Sequence, residues 1–151
     1  MATIGWTDSL VLGIDEIDAD HRQLITCYND LLAACAAGVE ASDFNDALAK
    51  LIAHTAYHFK HEEALMERSG YVDLDAHRVE HEVLHSSVRM LHKKTISENS
   101  RAMNSYALTF LWSWLVDHIV DADKRFAGFL LYQADEGLCL PASCSTESSA
   151  P

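Results

Sequence analysis

Apolar residues recur through most of the chain at intervals of three and four positions, the spacing that gathers side chains on one face of an α-helix. Both prolines lie at or beyond position 141, so nothing interrupts such helices earlier in the chain. The pattern predicts helices near residues 18–38, 42–69, 73–93 and 97–131. Four helices with short connections predict an all-α fold, an up-down-up-down antiparallel four-helix bundle with an irregular N-terminal arm and a polar C-terminal tail.

Residues that favour helix ends fall close to these boundaries. Candidate N-caps, one for each helix in turn, are Asp18 or Asp20, Ser42, Asp73 and Ser97. Gly38 and Gly70 follow the first two helices, where a glycine can adopt the left-handed conformation that often ends a helix. The first two predicted helices therefore have both start and stop signals.

The length of 151 residues suits one domain, which we assign to residues 1–132. Residues 133–151 include the segment PASCSTESSAP, whose composition cannot bury apolar area, so a mobile tail is expected there. The four cysteines match no zinc-finger spacing and are interpreted as thiols. The sequence leaves open whether Cys139 and Cys144 pair.

The charge balance excludes several classes of partner. With 11 Lys+Arg against 23 Asp+Glu, the formal net charge of −12 repels nucleic-acid phosphates and anionic membranes. The N-terminal segment MATIGWTDSL has neither a basic region nor a long apolar run, and no segment reaches the ~18 apolar residues of a membrane span. We therefore expect a cytoplasmic protein that binds neither nucleic acid nor membrane.

Nine histidines are many for this length, and helical periodicity directs several of them inward. His77 and His81 lie within the apolar stripe of the third predicted helix. His21 shares a face with the apolar residues of the first helix, and His118 shares one with those of the fourth. Each of these three helices is therefore predicted to place at least one imidazole in the bundle interior.

The second predicted helix contributes a carboxylate as well as a histidine. Glu62 lies within about 30° of the centre of the apolar stripe, and His58 lies about 70° from it. His54 and His61 are more than about 100° away. We therefore expect Glu62 to be interior, His58 to lie at the border, and His54 and His61 to face water.

Burying so many polar groups would be costly unless they had partners. An unsatisfied buried polar group costs about 1–3 kcal/mol, and a charged carboxylate costs more. A single inward histidine is usually a satisfied core residue. Five inward imidazoles and a carboxylate on four facing helices are instead typical of a metal site, because coordination satisfies all of them at once.

Two segments and three spacings resemble a known family. The segments are GIDEIDADH, which ends at His21, and HFKHEEALM, which begins at His58. The spacings are those from His58 to Glu62, from His77 to His81 and from His118 to Asp123. From about Trp6 to Phe126, this pattern closely resembles that of the hemerythrin family in its bacterial form.

The resemblance implies five histidine ligands and two bridging carboxylates for a pair of iron ions. One ion would take His77, His81 and His118, the other would take His21 and His58, and the bridges would be Glu62 and Asp123. With one bridging oxygen, this set fills all but one of the positions that two octahedral ions offer. The open position falls on the ion with two histidines.

Asp123 is the one ligand that conflicts with helical periodicity. On a regular helix Asp123 lies about 140° from His118, whereas Asp121 lies about 60° from it. Periodicity alone favours Asp121, and the family pattern favours Asp123. We follow the family pattern and predict a π-type widening or a local break near residues 120–123 that turns Asp123 inward.

The resemblance also implies a function, which is reversible dioxygen binding in a carrier or store that is not an enzyme. Dioxygen would occupy the open iron position as a hydroperoxide, and the protein would deliver it to an oxygen-consuming enzyme. Trp114 and Leu115 are expected to form an apolar wall beside this position, although ordinary bundle packing explains them equally well.

Other functions remain open at the level of sequence. The alternatives are an oxygen or redox sensor that acts through a separate partner, and a di-iron peroxidase or iron-handling protein. Carboxylate-rich di-iron enzymes use paired Glu-x-x-His motifs, whereas this chain has one such motif, from Glu82 to His85, and therefore lacks the pair. Zinc fits less well, because seven ligands exceed what tetrahedral structural sites use.

Overall fold

The computed structural model describes residues 2–138, and four long helices dominate it. Helix α1 spans Asp15–Ala37, α2 spans Ala41–Ser69, α3 spans Leu74–Glu98 and α4 spans Arg101–His118. A π-helical turn at Ile119–Asp123 joins α4 to α5, which spans Lys124–Leu138. No β-strand occurs within residues 2–138.

The helices pack as a closed ring. Helix α1 contacts α2 and α4, and α3 contacts the same two helices from the opposite side. The short connections at residues 38–40, 70–73 and 99–100 make each helix run antiparallel to the one before it. The predicted all-α, up-down-up-down four-helix bundle is confirmed. No helix within the described residues is long and apolar enough to cross a membrane.

Most predicted helix ends lie within a few residues of the observed ones. Gly38 and Gly70 adopt the left-handed conformation, with φ of 67° and 69°, and end α1 and α2 as predicted. Asp73 occupies the N-cap position of α3, also as predicted, although its side chain accepts no capping hydrogen bond. Helix α2 begins at Ala41, so Ser42 lies inside it rather than at its N-cap.

The boundary between α3 and α4 differs from the prediction. Helix α3 continues to Glu98, beyond the predicted end at residue 93, so Ser97 lies inside it and is not an N-cap. Ser100 caps α4 instead, and its side chain accepts a 3.1 Å hydrogen bond from the Met103 amide. Helix α3 continues because Thr95 is buried and its hydroxyl donates to Asn45 on α2, 2.7 Å away.

Helix α5 also exceeds its prediction, because it continues past residue 131 to Leu138. The predicted tail at residues 133–151 therefore begins within a helix. Residues 139–151, including Cys139 and Cys144, lie outside the described residues, as does Met1.

The N-terminal arm lies against α1. The backbone of Ile4 exchanges two 2.9 Å hydrogen bonds with the side chain of Asn29. Asp18 or Asp20 was predicted to cap α1, but α1 begins at Asp15, so both residues lie inside it. The buried carboxylate of Asp18 instead accepts hydrogen bonds from the amides of Leu12 and Gly13, at 2.8 and 3.1 Å. These contacts fix the arm beside the bundle.

The core consists of apolar clusters on either side of a polar layer. The largest cluster contains Leu24, Leu48, Val88, Leu111 and many further apolar residues. Two smaller clusters lie towards the other end of the bundle, one around Ile17 and one that contains Met66, Tyr71 and Phe126. Between them, each of the four helices places buried or nearly buried histidines in the interior.

Two glycines should respond to alanine with opposite signs. Gly70→Ala places a side chain at a φ of 69°, so we expect it to destabilise the fold by about 1 kcal/mol. Gly128→Ala lies inside α5, where nothing within 4 Å meets the added methyl group, and should stabilise by about 0.5–1 kcal/mol. Urea denaturation of both variants in one fixed metal-loading state measures these changes. Effects of the same sign would contradict the assigned backbone conformations.

Candidate metal centre

Seven side chains from four helices and the π-helical turn converge in the polar layer. They are His21 on α1, His58 and Glu62 on α2, His77 and His81 on α3, His118 at the end of α4, and Asp123 at the end of the turn. Six of them are at most 4% exposed, and the side chain of His118 is 8% exposed. All seven residues singled out by the sequence therefore lie together.

Their donor atoms form two overlapping groups. The first contains Glu62, His77, His81, His118 and Asp123, and the second contains His21, His58, Glu62 and Asp123. Within each group the donor atoms lie within 4.8 Å of one another. Because Glu62 and Asp123 belong to both groups, the arrangement suits two cations bridged by two carboxylates.

The spacing of the donors in the first group fits a six-coordinate cation. The Nε2 atom of His81 lies 2.9 Å from that of His77 and 3.2 Å from that of His118. Glu62 Oε2 lies 3.1 Å from His77 Nε2, and Asp123 Oδ1 lies 3.0 Å from His118 Nε2. Donors bound at right angles about 2.1 Å from one ion would be about 3.0 Å apart, whereas tetrahedral donors would be about 3.4 Å apart.

The second group is less tightly gathered. The Nε2 atoms of His21 and His58 are 3.1 Å apart, and His21 Nε2 lies 3.1 Å from Asp123 Oδ2. Glu62 Oε2 is 4.0 Å from His58 Nε2. This group offers two imidazoles where the first offers three, so it supplies fewer ligands to its cation.

Several buried polar atoms in this centre lack hydrogen-bond partners. Within the described part of the chain these include Glu62 Oε1, both carboxylate oxygens of Asp123, and Nδ1 of His21 and of His58. Such atoms are uncommon in folded proteins because each one is costly. A cation between the carboxylates would satisfy the three oxygens, so the residues present fit a pair of metal ions.

Burial and neighbouring charges shift the pKa values of Glu62, His77 and His81. Burial, together with the charge of Asp123, raises the pKa of Glu62 to about 8. Burial alone would lower the pKa of His77, but the neighbouring carboxylates of Asp123 and Glu62 raise it to about 9. Burial and the neighbouring His77 and His118 lower the pKa of His81 to about 2. Without metal, Glu62 and His77 are therefore protonated at pH 7.

The π-helical turn brings Asp123 into the centre. The turn spans Ile119–Asp123, where the predicted widening was expected, and that prediction is confirmed. Asp123 is fully buried, whereas the side chain of Asp121 is 78% exposed and lies 3.7 Å from Arg125. The additional residue in the turn thus rotates Asp123 towards His118 and leaves Asp121 in solvent.

Helical periodicity predicted most orientations on α2 correctly. Glu62 is buried and His54 is exposed, as predicted. His58 is 2% exposed and so lies deeper than the border position expected for it. His61 was expected to face water, but it is half-buried because its Nδ1 lies 2.6 Å from Asp20 Oδ2.

Sequence reasoning did not identify the carboxylates behind the histidines. Glu63 Oε1 lies 2.7 Å from His81 Nδ1, and Asp20 Oδ2 lies 3.5 Å from His58 Nδ1. Each carboxylate is one position from a candidate ligand, Glu62 or His21, and therefore lies at the edge of an inward face. That adjacency is the signal that could have found them.

A cavity lies against the second group. Its polar boundary includes His21, His58, His118 and Asp123. Its apolar boundary includes Leu24, Phe59, Leu84, Trp114, Leu115 and Ile119. The indole N–H of Trp114 donates to the Leu84 carbonyl, 3.1 Å away. The cavity leaves about 10 Å³ for the centre of a water-sized molecule, which is about the least that holds one.

Comparisons with known proteins agree with this geometry. Residues 12–130 match the family model described as hemerythrin HHE cation binding domain. The chain is 33% identical over 132 residues to a bacteriohemerythrin of Stenotrophomonas maltophilia, covering 84% of this chain and 81% of that protein. It is 29% identical over 125 residues to a myohemerythrin of Riftia pachyptila, covering 83% and 92%. The crystal structure of a wild-type hemerythrin matches with a TM-score of 0.75 and 30% identity, covering 84% of this chain and 97% of that one.

Metal binding should release protons from the centre. Because the pKa values of Glu62 and His77 are about 8 and about 9, both side chains must lose a proton when they coordinate a cation at pH 7. We expect Zn²⁺ loading at pH 7 to release about two protons from these side chains. This contribution should disappear as the loading pH rises through about 9.

Calorimetric titration in two buffers with different ionisation enthalpies counts these protons. Protons lost by metal-bound water would not decline over the same pH range. A release that stays constant from pH 7 to above pH 9 would therefore contradict the protonation states assigned to Glu62 and His77.

Two histidines on α2, one turn apart, should differ in their effect on metal content. His58→Ala removes an imidazole from the second group, so we expect about one metal ion fewer per chain. His54→Ala is the matched control, because this exposed side chain belongs to neither group. Elemental analysis after loading and desalting measures both. Equal losses in the two variants would refute the assignment of His58 as a ligand.

Proposed function

The chain belongs to the hemerythrin family, and on that premise we propose that it binds dioxygen reversibly at a pair of iron ions, as an oxygen carrier or store. The residues that would hold the iron are His21, His58, Glu62, His77, His81, His118 and Asp123. The two ferrous ions would supply the two electrons that dioxygen takes up on binding and returns on release.

The position of the cavity is the observation that carries this proposal. The cavity borders both histidines of the second group, His21 and His58, but only His118 among the three histidines of the first group. The cation with fewer protein ligands would thus face the space in which a small molecule fits. This coincidence supports a site for one diatomic ligand rather than for a larger substrate.

The walls of the cavity support reversible binding. Trp114 and Leu115 lie on its boundary, and the Trp114 N–H is committed to a backbone carbonyl. Together with Leu24, Phe59 and Ile119, they give the cavity an apolar wall that hinders the entry of water. A dry pocket slows the loss of electrons to solvent species, so the ferrous state persists between binding cycles.

The balance of ligands favours binding over oxygen activation. Five imidazoles and two carboxylates surround the proposed ions. Neutral imidazoles stabilise high-valent iron less than carboxylates do, so the centre suits binding without cleavage of the O–O bond. We therefore propose a binding protein and not an enzyme.

The proposal extends to the cellular setting. Cys27 and Cys35 are free thiols in the structure, which fits a reducing compartment such as the cytoplasm. Dioxygen released there would be delivered to an oxygen-consuming enzyme.

A cycle of oxygen addition and removal tests the function. The iron-loaded protein is reduced anaerobically, exposed to air and then returned to vacuum while its visible spectrum is recorded. We expect a charge-transfer band that appears with oxygen, disappears on its removal, and returns over repeated cycles. His58→Ala, measured at equal protein concentration, should lose the reversible band.

The opposite outcome has a defined meaning. Complete and irreversible oxidation on the first exposure would contradict a carrier and would favour the redox-sensor or peroxidase alternatives. Addition of hydrogen peroxide with an electron donor then separates those two, because only a peroxidase would turn over.

A further inference from the structure

One histidine of the first group has a strong contact behind it. The Nδ1 atom of His81 lies 2.7 Å from Glu63 Oε1, while its Nε2 atom faces the centre. The other carboxylate oxygen of Glu63 lies 3.7 Å from Arg78, which helps to hold the carboxylate in place. A hydrogen bond of this length to a carboxylate orients the imidazole and strengthens it as a metal donor.

The second group has no equivalent contact within the described residues. His58 Nδ1 is 3.5 Å from Asp20 Oδ2 and makes no hydrogen bond, and buried His21 Nδ1 has no partner either. The same Asp20 oxygen lies 2.6 Å from His61 Nδ1. A small movement of Asp20 would thus let it accept a hydrogen bond from His58, but in the structure it pairs with His61 instead.

His61 is itself held in this position. Its Nε2 atom lies 3.2 Å from Glu16 Oε2 on α1, so the imidazole lies between two carboxylates. Carboxylates accept hydrogen bonds, and each of the two ring nitrogens of His61 lies within hydrogen-bond distance of one of them. These contacts hold the Asp20 carboxylate towards His61 rather than towards His58.

We propose that Glu63 and His61 are positioning residues that make the two metal ions unequal. Glu63 anchors His81 and strengthens the three-histidine group, whereas His61 withholds Asp20 from His58 and keeps the two-histidine group the weaker donor. The weaker group is the one that faces the cavity. This inference rests on the proposed function only for the identity of the metal and the ligand that enters the cavity.

The ring N–H protons of the ligand histidines report these contacts directly. In the zinc-loaded, ¹⁵N-labelled protein, an imidazole N–H proton that is donated to a carboxylate resonates downfield of one that is not. We expect the His81 proton to lie downfield of the His58 proton, and Glu63→Gln to move it upfield. Loss of the carboxylate should also lower the zinc affinity of the three-histidine group about tenfold.

Variants of His61 test the competition for Asp20. His61→Leu removes the competing donor, so the His58 proton should move downfield as Asp20 turns to accept it. His61→Gln keeps an N–H donor for Asp20 and should leave the His58 proton close to its original position. His54→Leu, an exposed histidine on the same helix, is the matched control and should change neither resonance.

A double variant separates this effect from a general disturbance of the fold. Asp20→Asn combined with His61→Leu should abolish the downfield shift, because no carboxylate remains to accept the proton. A His58 proton that stays unmoved in His61→Leu, or that shifts equally in the double variant, would overturn the role of His61. A His81 proton that is insensitive to Glu63→Gln would overturn that of Glu63. The zinc protein binds no dioxygen, so these results stand independently of whether the iron form is a carrier.

Discussion

The structure depends on the burial of two carboxylates and five imidazoles in the interior of a small helical bundle. Three of the buried carboxylate oxygens have no hydrogen-bond partner, although imidazoles lie beside them. Cations shared between the two carboxylates would satisfy these oxygens. The bundle therefore has to hold its helices in register around the polar layer, with apolar clusters on both sides to exclude water.

Periodicity predicted the fold and the inward histidines because the helices are long, regular and amphipathic. It failed at the end of α3: Thr95 lies on the buried face, but a hydroxyl does not extend an apolar stripe, so the helix was predicted to end too early. It also underestimated the burial of His58, because the ring packs edge-on against that of His21 on α1. Asp123 required the family pattern, since regular helical geometry favours Asp121.

The contacts behind the ligands lay beyond any pattern along the chain. The distances from Asp20 Oδ2 to the two Nδ1 atoms, 2.6 Å for His61 and 3.5 Å for His58, differ by less than 1 Å. Whether Asp20 pairs with His58 or with His61 depends on how α1 and α2 face each other. The same is true of Glu63, which reaches from α2 to His81 on α3. Spacing identifies which residues can be ligands, but tertiary packing determines how strongly each one donates.

The extra residue in the turn at Ile119–Asp123 affects more than one side chain. Relative to a regular helix, it sets every residue beyond it back by about 100° around the helix axis. The buried positions of α4 and of α5 therefore follow two different phases of one long helix, and Phe126 and Ala127 are buried in the second phase. A regular helix that kept every residue would turn the apolar face of its C-terminal half away from the bundle, whereas removal of a single residue from the turn would restore an unbroken helix and leave that face where it is.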